Sequence, residues 1–268
     1  MPPKKKTIVG TDKKTGKKRV VQYSKKDAEV RQKILSKKKR IAILISGRLT
    51  SYDKHYQNII DTFGDGYVID FYAGISEEPI NKKLLDGFLK LYKPKKWAYS
   101  NKPLLDIEWD KVKANKEMMN YKKNPMFMWR NRDNVRSLLQ SNSRGRAALK
   151  IKYDWVISTR ADVFYKEKLN YNDLDPDAIN IPRLADYGGY QDKIAIAKEP
   201  LMLEYLDVYD NMKTYLIDKK KAVNPEPLLK YHIDKGKNIP VHRIDLKHNI
   251  FPKKSVADKA KVALTGQK

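Results

Sequence analysis

Apolar residues in this chain gather in short continuous runs, separated by stretches where they recur every three or four positions. The first such run is Ile41-Ala42-Ile43-Leu44-Ile45, closed by Ser46-Gly47-Arg48. A run of this length between polar residues predicts a strand buried on both faces of a sheet. Tyr56, Ile59, Ile60 and Phe63 then follow at helical spacing, and Gly64-Asp65-Gly66 predicts where that helix stops. Tyr67 to Ala73 reads as a second strand. Ile80, Leu84, Leu85, Phe88 and Leu91 predict a second amphipathic helix, and Lys95 to Tyr99 a third strand. This alternation argues for a largely parallel sheet with crossover helices.

Residues 100–124 are polar and predict an irregular, mobile excursion. A helix is expected over about Met126–Ser141, leading through Ser143-Arg144-Gly145-Arg146 to a buried strand at Trp155–Ser158. Asn180-Ile181-Pro182 and Lys193 to Ala197 read as further short strands. Pro200 opens a helix with Met202, Tyr205, Leu206 and Tyr209 on one face. Asn224-Pro225 is an N-cap followed by proline at the first helical position, with Leu228, Leu229 and Ile233 facing inward. The chain shows no internal repeat.

Composition changes this picture mainly at the ends. The 268 residues allow a single large domain with a substantial core, and 41% of them are hydrophobic. Cysteine is absent, which excludes disulfides and cysteine-based metal or nucleophile chemistry. No apolar run approaches the roughly 20 residues needed to span a bilayer, and the lysine-rich N-terminus lacks the apolar core of a secretion signal. The expectation is a cytoplasmic protein without a membrane span. Of the net charge of +25, +13 lies in residues 1–40, which hold 16 Lys and Arg against 3 Asp and Glu. The organisation expected is a basic arm over 1–40, partly disordered or helical, an α/β domain over 41–251, and a lysine-rich tail over 252–268. A solvated basic arm binds polyanions weakly. A basic nucleic-acid-binding protein without catalysis is therefore the alternative to an enzyme.

Four segments carry candidate chemistry, and all fall at predicted strand ends or loops, where open α/β sheets bind ligands. Ser46, Gly47 and Arg48 offer backbone N–H groups and a guanidinium to a diphosphate, and the Tyr52 ring can stack on a base. An ordinary tight turn explains the same residues. Arg160-Ala161-Asp162 places a carboxylate that can hold metal or ribose and a guanidinium that can hold phosphate; a structural Arg–Asp pair is an equal alternative. In the loop Asp186 to Asp192, Gly188-Gly189 lets backbone approach a ligand between two carboxylates. His232 and His242, with Glu226 upstream, are weaker candidates for a metal or phosphate contact. The phosphate-binding Gly-x-x-x-x-Gly-Lys-Ser/Thr loop and the dinucleotide Gly-x-Gly-x-x-Gly turn are both missing.

The order of these segments carries a resemblance. A strand ending Ser46-Gly47-Arg48 with Tyr52 nearby is followed by Tyr153-Asp154-x-Val156-Ile157-x-x-Arg160-x-Asp162. Gly188-Gly189-x-x-Asp192 and Pro225-Glu226-x-x-Leu229 come next. Over about residues 41–250 the chain resembles GT-A-type glycosyltransferases, particularly small ones of large DNA viruses and bacteria. The resemblance implies a GT-A-like, Rossmann-type α/β domain with a central, mostly parallel sheet flanked by helices. It implies a nucleotide-sugar donor, first of all a UDP-sugar, a glycan or protein-linked glycan acceptor, and for a viral protein the host cytoplasm. It also implies Mn²⁺ or Mg²⁺ at an Asp-x-Asp motif. Here only Asp162 matches, because Arg160 replaces the first acid; His242 is the second metal candidate. Ser46, Gly47, Arg48, Tyr52, Arg160, Asp162, Gly188 and Gly189 are then the donor-site residues. Asp192, ahead of Asp186, is the expected catalytic base.

Overall fold

The computed structural model describes residues 8–11, 18–21, 38–49, 51–76, 82–99, 102–114, 123–148 and 151–250. The chain divides into a small unit, residues 1–38 with 144–152, and a large one, residues 39–143 with 153–268. In the small unit, β1 (Ile8–Thr11) and β2 (Lys18–Val21) form an antiparallel pair. The lysine-rich composition there did not signal this ribbon. The tail from residue 252 lies outside the described residues.

The large unit is an α/β domain built on a seven-stranded mixed sheet. Its elements run β3 (Arg40–Gly47), α1 (Tyr52–Phe63), β4 (Val68–Ile75), α2 (Lys82–Tyr92), β5 (Lys96–Tyr99) and α3 (Asn124–Ser141). The short α4 (Ser143–Ala148) falls mostly in the small unit. Then come β6 (Trp155–Thr159), β7 (Val163–Tyr165), β8 (Ile179–Pro182), β9 (Ala195–Ala197), α5 (Glu199–Tyr205), α6 (Val208–Lys213), α7 (Pro225–Tyr231), β10 (Val241–Ile244) and β11 (His248–Ile250). The strand order is β10-β8-β9-β6-β3-β4-β5. Strands β5, β4, β3 and β6 are parallel, and β10 is parallel to β8. β9 alone runs antiparallel to both its neighbours. A separate two-stranded pair joins β7 to β11.

Alternation along the strands divides the core into two layers. Ala42, Leu44, Tyr72 and Val156 pack on the side carrying α3, α5, α6 and α7. Ile41, Ile43, Ile45, Phe71, Ala73 and Ile157 pack on the other side with Ile59 and Phe63 of α1 and Phe88 and Tyr92 of α2. The apolar run at 41–45 is continuous because both faces of its strand are covered. α3 can lie close to β4 because residue 74 is glycine: a Cβ there would overlap Val135 and the Asn131 carbonyl. α1 stops where expected, with the Gly64 N–H bonded to the Ile60 carbonyl at 2.7 Å.

Some expectations are revised. Leu84 faces solvent rather than the core, and Ile80 lies outside the described residues. The helix expected from Pro200 breaks at Leu206-Asp207 into α5 and α6. Part of the 100–124 excursion is packed, for Ile107 and Val112 are buried. The link between β8 and β9 is narrow: the ladder consists of Asn180 opposite Ile196. The fully buried Asn180 side chain reinforces it, donating to the carbonyls of Ile196 (3.0 Å), Asp175 (2.9 Å) and Ala178 (3.2 Å).

Candidate functional site

The sheet reverses its winding at β3. From β3 the chain moves outward to β4 and β5, then returns to place β6 on the other side. Such a switch point opens a crevice beyond the carboxyl ends of the two strands. The last pair of the β3–β6 ladder is Ile45 opposite Thr159. Ser46 and Arg160 therefore leave neighbouring strands side by side, about 5 Å apart by ordinary strand spacing. The structure thus brings together Ser46-Gly47-Arg48 and Arg160-Ala161-Asp162. Ser46 is buried, Gly47 has a positive φ of 106°, and Arg48 is exposed.

β9 enters this crevice from the opposite direction. Because it is antiparallel, its preceding residues Gln191, Asp192 and Lys193 lie beyond the end of β6, whose Ser158 pairs with Ala195. The buried Gln191 side chain shapes this turn. Its carbonyl accepts from the N–H groups of Lys193 (2.8 Å) and Ile194 (3.2 Å), and its amide donates to the Ile194 carbonyl at 2.5 Å. α3 supplies another wall: Asn131 donates to the Ser76 hydroxyl at 2.7 Å, and the Ser76 N–H bonds the Gly47 carbonyl at 3.2 Å.

The charged groups alternate in sign. Arg160 grips Asp162 with Nε on one carboxylate oxygen at 2.8 Å and Nη2 on the other at 2.6 Å. Burial would lower the Arg160 pKa, but hydrogen bonds to Asp162, with the charges of Asp162 and Asp192, raise it above the ordinary arginine range. Asp192 is buried and receives Nη2 of Arg132 at 3.2 Å; that nitrogen also donates to the Asp192 carbonyl. Arg132, itself only 2% exposed, keeps its Nη1 without a hydrogen-bond partner among the described residues. Glu226, at the start of α7, is half-buried. Burial first, then the Asp192 charge, pushes its carboxyl above the usual range, against the pull of its own backbone N–H and, less, of Lys193 and Arg132.

The remaining predicted residues fall differently. Gly189 is not a place of ligand approach: a Cβ there would overlap the Glu226 carbonyl and the Pro227 nitrogen, so the glycine lets the loop pack on α7. Gly188 has φ 82°, in a loop where Ala185 and Tyr187 also have positive φ. Asp186 is held by Arg243 through both oxygens, at 2.9 and 2.8 Å, and accepts the Gln191 N–H at 3.1 Å. It anchors the loop, which leaves it poorly suited to act as a base. Tyr52 packs on α2, edge-on to Phe88 at 5.8 Å and to Tyr92 at 6.4 Å, beside an open groove lined by Lys82, Lys83 and Lys90. Its half-buried ring packs on α2 and lines this groove.

His232 is fully buried, bonded through Nδ1 to the Tyr215 hydroxyl (3.0 Å) and through Nε2 to the Glu204 carbonyl (2.9 Å). Burial holds its pKa below the ordinary imidazole value. His242 sits on the edge strand β10, its Nε2 on the Asp173 carbonyl at 3.1 Å. Three strand steps separate it from β6, about 14 Å, so His242 and Asp162 do not meet. Nor do the residues around Asp162 fit a divalent cation: the Arg160 guanidinium already neutralises this carboxylate, and among the described residues no cluster of three ligating side chains includes it. The metal-sized cluster among the described residues is elsewhere: Asp133, Asp207 and Asp210, between α3 and α6. These three already bind cations. Arg136 pairs with all of them, Lys102 with Asp133 and Asp210, and Lys237 with Asp207.

Sequence reasoning missed Arg132 and Gln191. Arg132 sits within an unusually polar helical stretch, Arg130-Asn131-Arg132-Asp133-Asn134, all of it buried. A charged run inside a core-facing helix is the signal that was available. Residues 135–206 match the model of a family described as Domain of unknown function (DUF7796). That segment runs from within α3 through β6, the Arg160–Asp162 turn and the Asp186–Asp192 loop to the end of α5. No curated protein matches the chain. Among the described residues, no helix is long and apolar enough to cross a membrane.

Proposed function

We propose that the large unit is a glycosyltransferase with a GT-A-like arrangement, transferring a sugar from a nucleotide donor to a glycan acceptor. The observation that carries this reading is the convergence of the β3 and β6 ends at the switch point. It joins two segments that lie more than a hundred residues apart in the chain. Transfer from a nucleotide sugar needs a nucleotide site, positive charge beside the leaving diphosphate, and a base for the acceptor hydroxyl. Ser46 and Gly47 offer the strand-end turn, and Arg48 and Arg160 offer the charge. Asp162 holds the Arg160 fork in place.

The base in this reading is Glu226 rather than Asp192 or Asp186. Both aspartates are bound by guanidinium groups, whereas the partly buried Glu226 carboxyl has its pKa raised above the usual carboxylate range. A base with a raised pKa takes a proton more readily at neutral pH. Weak polyanion binding by residues 1–40 accompanies this activity and does not replace it.

A thermal-shift screen against UDP-, GDP- and ADP-sugars tests the proposal. A donor that binds only the native state raises Tm by mass action, by about 2.7 kcal/mol of stabilisation at a hundred times its Kd. The expected result is a shift with at least one donor, with UDP-sugars first. A panel that leaves Tm unmoved throughout overturns the reading.

A further inference from the structure

We infer that the crevice binds a nucleoside diphosphate without a protein-bound metal ion, with the Arg160 guanidinium occupying the place of the cation. The inference rests on the glycosyltransferase reading and specifies how its donor is held.

Three features of the crevice support it. A divalent cation is drawn to a carboxylate by its negative charge, and a guanidinium already paired with that carboxylate cancels the charge and repels a second cation. At Asp162 both oxygens receive Arg160 N–H groups at 2.8 and 2.6 Å, in the paired geometry that guanidinium and carboxylate planes share. The groups nearby are engaged as well. Asp192 is tied to Arg132, and the Thr159 hydroxyl is bonded to the Tyr165 hydroxyl at 2.6 Å. Among the described residues, no cluster of three ligating side chains includes Asp162. The third feature is the direction in which donor capacity remains. The Asp162 pair uses Nε and Nη2 of Arg160 and leaves Nη1 outside it. The Arg160 side chain is about one-third exposed, on the strand end next to Ser46 and the exposed Arg48.

A diphosphate needs its charge offset and its oxygens hydrogen-bonded, and guanidinium groups do both without proton or metal bookkeeping. In this arrangement Asp162 is a positioning residue: it fixes the Arg160 plane so that the remaining N–H edge meets the phosphate.

Calorimetric titration of UDP, GDP and ADP into the full-length protein tests this, first in EDTA and then in excess Mn²⁺. At least one diphosphate is expected to bind, with affinities equal within about twofold in the two buffers. Arg160→Ala is expected to weaken that binding roughly ten- to a hundredfold, the scale of a charged hydrogen bond. Arg160→Gln, which keeps a donor for Asp162 but loses the charge, should weaken it as well and covers the case of an unfolded alanine variant. Binding lost in EDTA and restored by Mn²⁺ would overturn the inference and leave the glycosyltransferase reading standing. So would a stoichiometric site for Mn²⁺ alone that disappears in Asp162→Asn, or wild-type affinity in Arg160→Gln. Absence of binding by all three diphosphates in both buffers would overturn the inference and the reading together.

Discussion

Two groups of acids in this molecule are neutralised by bases, and they are built on opposite plans. On the helical face, Asp133, Asp207 and Asp210 share Arg136, Lys102 and Lys237 in a web where each cation serves more than one carboxylate. In the crevice, Asp162 and Asp192 each have one guanidinium. There the pairing leaves donors over: Nη1 of Arg160 lies outside its pair, and Nη1 of Arg132, whose guanidinium lies over the Trp129 ring at 4.6 Å, is buried without a hydrogen-bond partner among the described residues. A saturated network has nothing to offer a ligand, and its effect is on the packing of α3 against α6. A cluster with unspent donors is costly in the protein alone, because a buried N–H without a partner carries a desolvation penalty of about 1–3 kcal/mol. A cost of that kind points to binding rather than to stability.

The contrast can be broken most sharply at Glu226. Glu226→Gln is expected to leave donor binding intact and to lower turnover by about two to four orders of magnitude, read from initial rates with the donor found by thermal shift. Unchanged turnover removes Glu226 from the chemistry. The next effect belongs to the helical network. Asp133 is fully buried, and Asp133→Ala strands the cations around it. A loss of about 3 kcal/mol is expected from breaking a buried pair, measured by urea denaturation, with donor affinity unchanged.

A smaller effect is expected from Asp162→Asn on stability, within about 1 kcal/mol, because the pair lies near solvent and an amide oxygen still accepts from Arg160. Its consequence should fall on transfer, which is expected to drop about tenfold as the Arg160 fork loses one of its two anchoring bonds. A variant that melts normally and transfers normally would sink the role given to Asp162. The pH dependence comes last. His232 is held below its ordinary value of 6.5 by burial, so below that pH the unfolded chain binds more protons than the fold. This contribution to stability is full above about pH 6.5 and is lost as pH falls from there toward the lower pKa of the folded state, seen as a Tm that declines on acidification below that point.

Strands buried on both faces were legible in the sequence because a short, continuous apolar run between polar residues fits little besides an interior strand, as at Ile41–Ile45 and Trp155–Ser158. The turns that follow them were legible for the same reason, and they leave neighbouring parallel strands side by side. What escaped was set by tertiary pairing. Ala195–Ala197 reads the same in either direction, and its antiparallel run depends on neighbours distant in sequence. β7, β10 and β11 are three or four residues long, too short to show a period. Gly189 shows the same limit at the site: a glycine needed for close approach does not say what approaches, and here it is α7. His232 and His242 differ from ligands only in what surrounds them.

The single-pair junction between β8 and β9 bears on how the sheet opens. To one side, β3 is laddered to β4 over eight residues and to β6 over five. To the other, β8 and β10 reach the rest of the sheet through Asn180 opposite Ile196. Cooperative opening follows the weakest seam, so β8 with β10 forms a natural sub-global unfolding unit. In native-state hydrogen exchange the amides of Ile179, Asn180 and Ile181 should therefore lose protection together with those of Val241–Ile244, at lower denaturant than those of β3 and β6. Asn180→Ala should widen that gap. The Asp186–Arg243 pair spans the far end of this same unit, so the loop that carries Asp192 to the crevice would open and close with it.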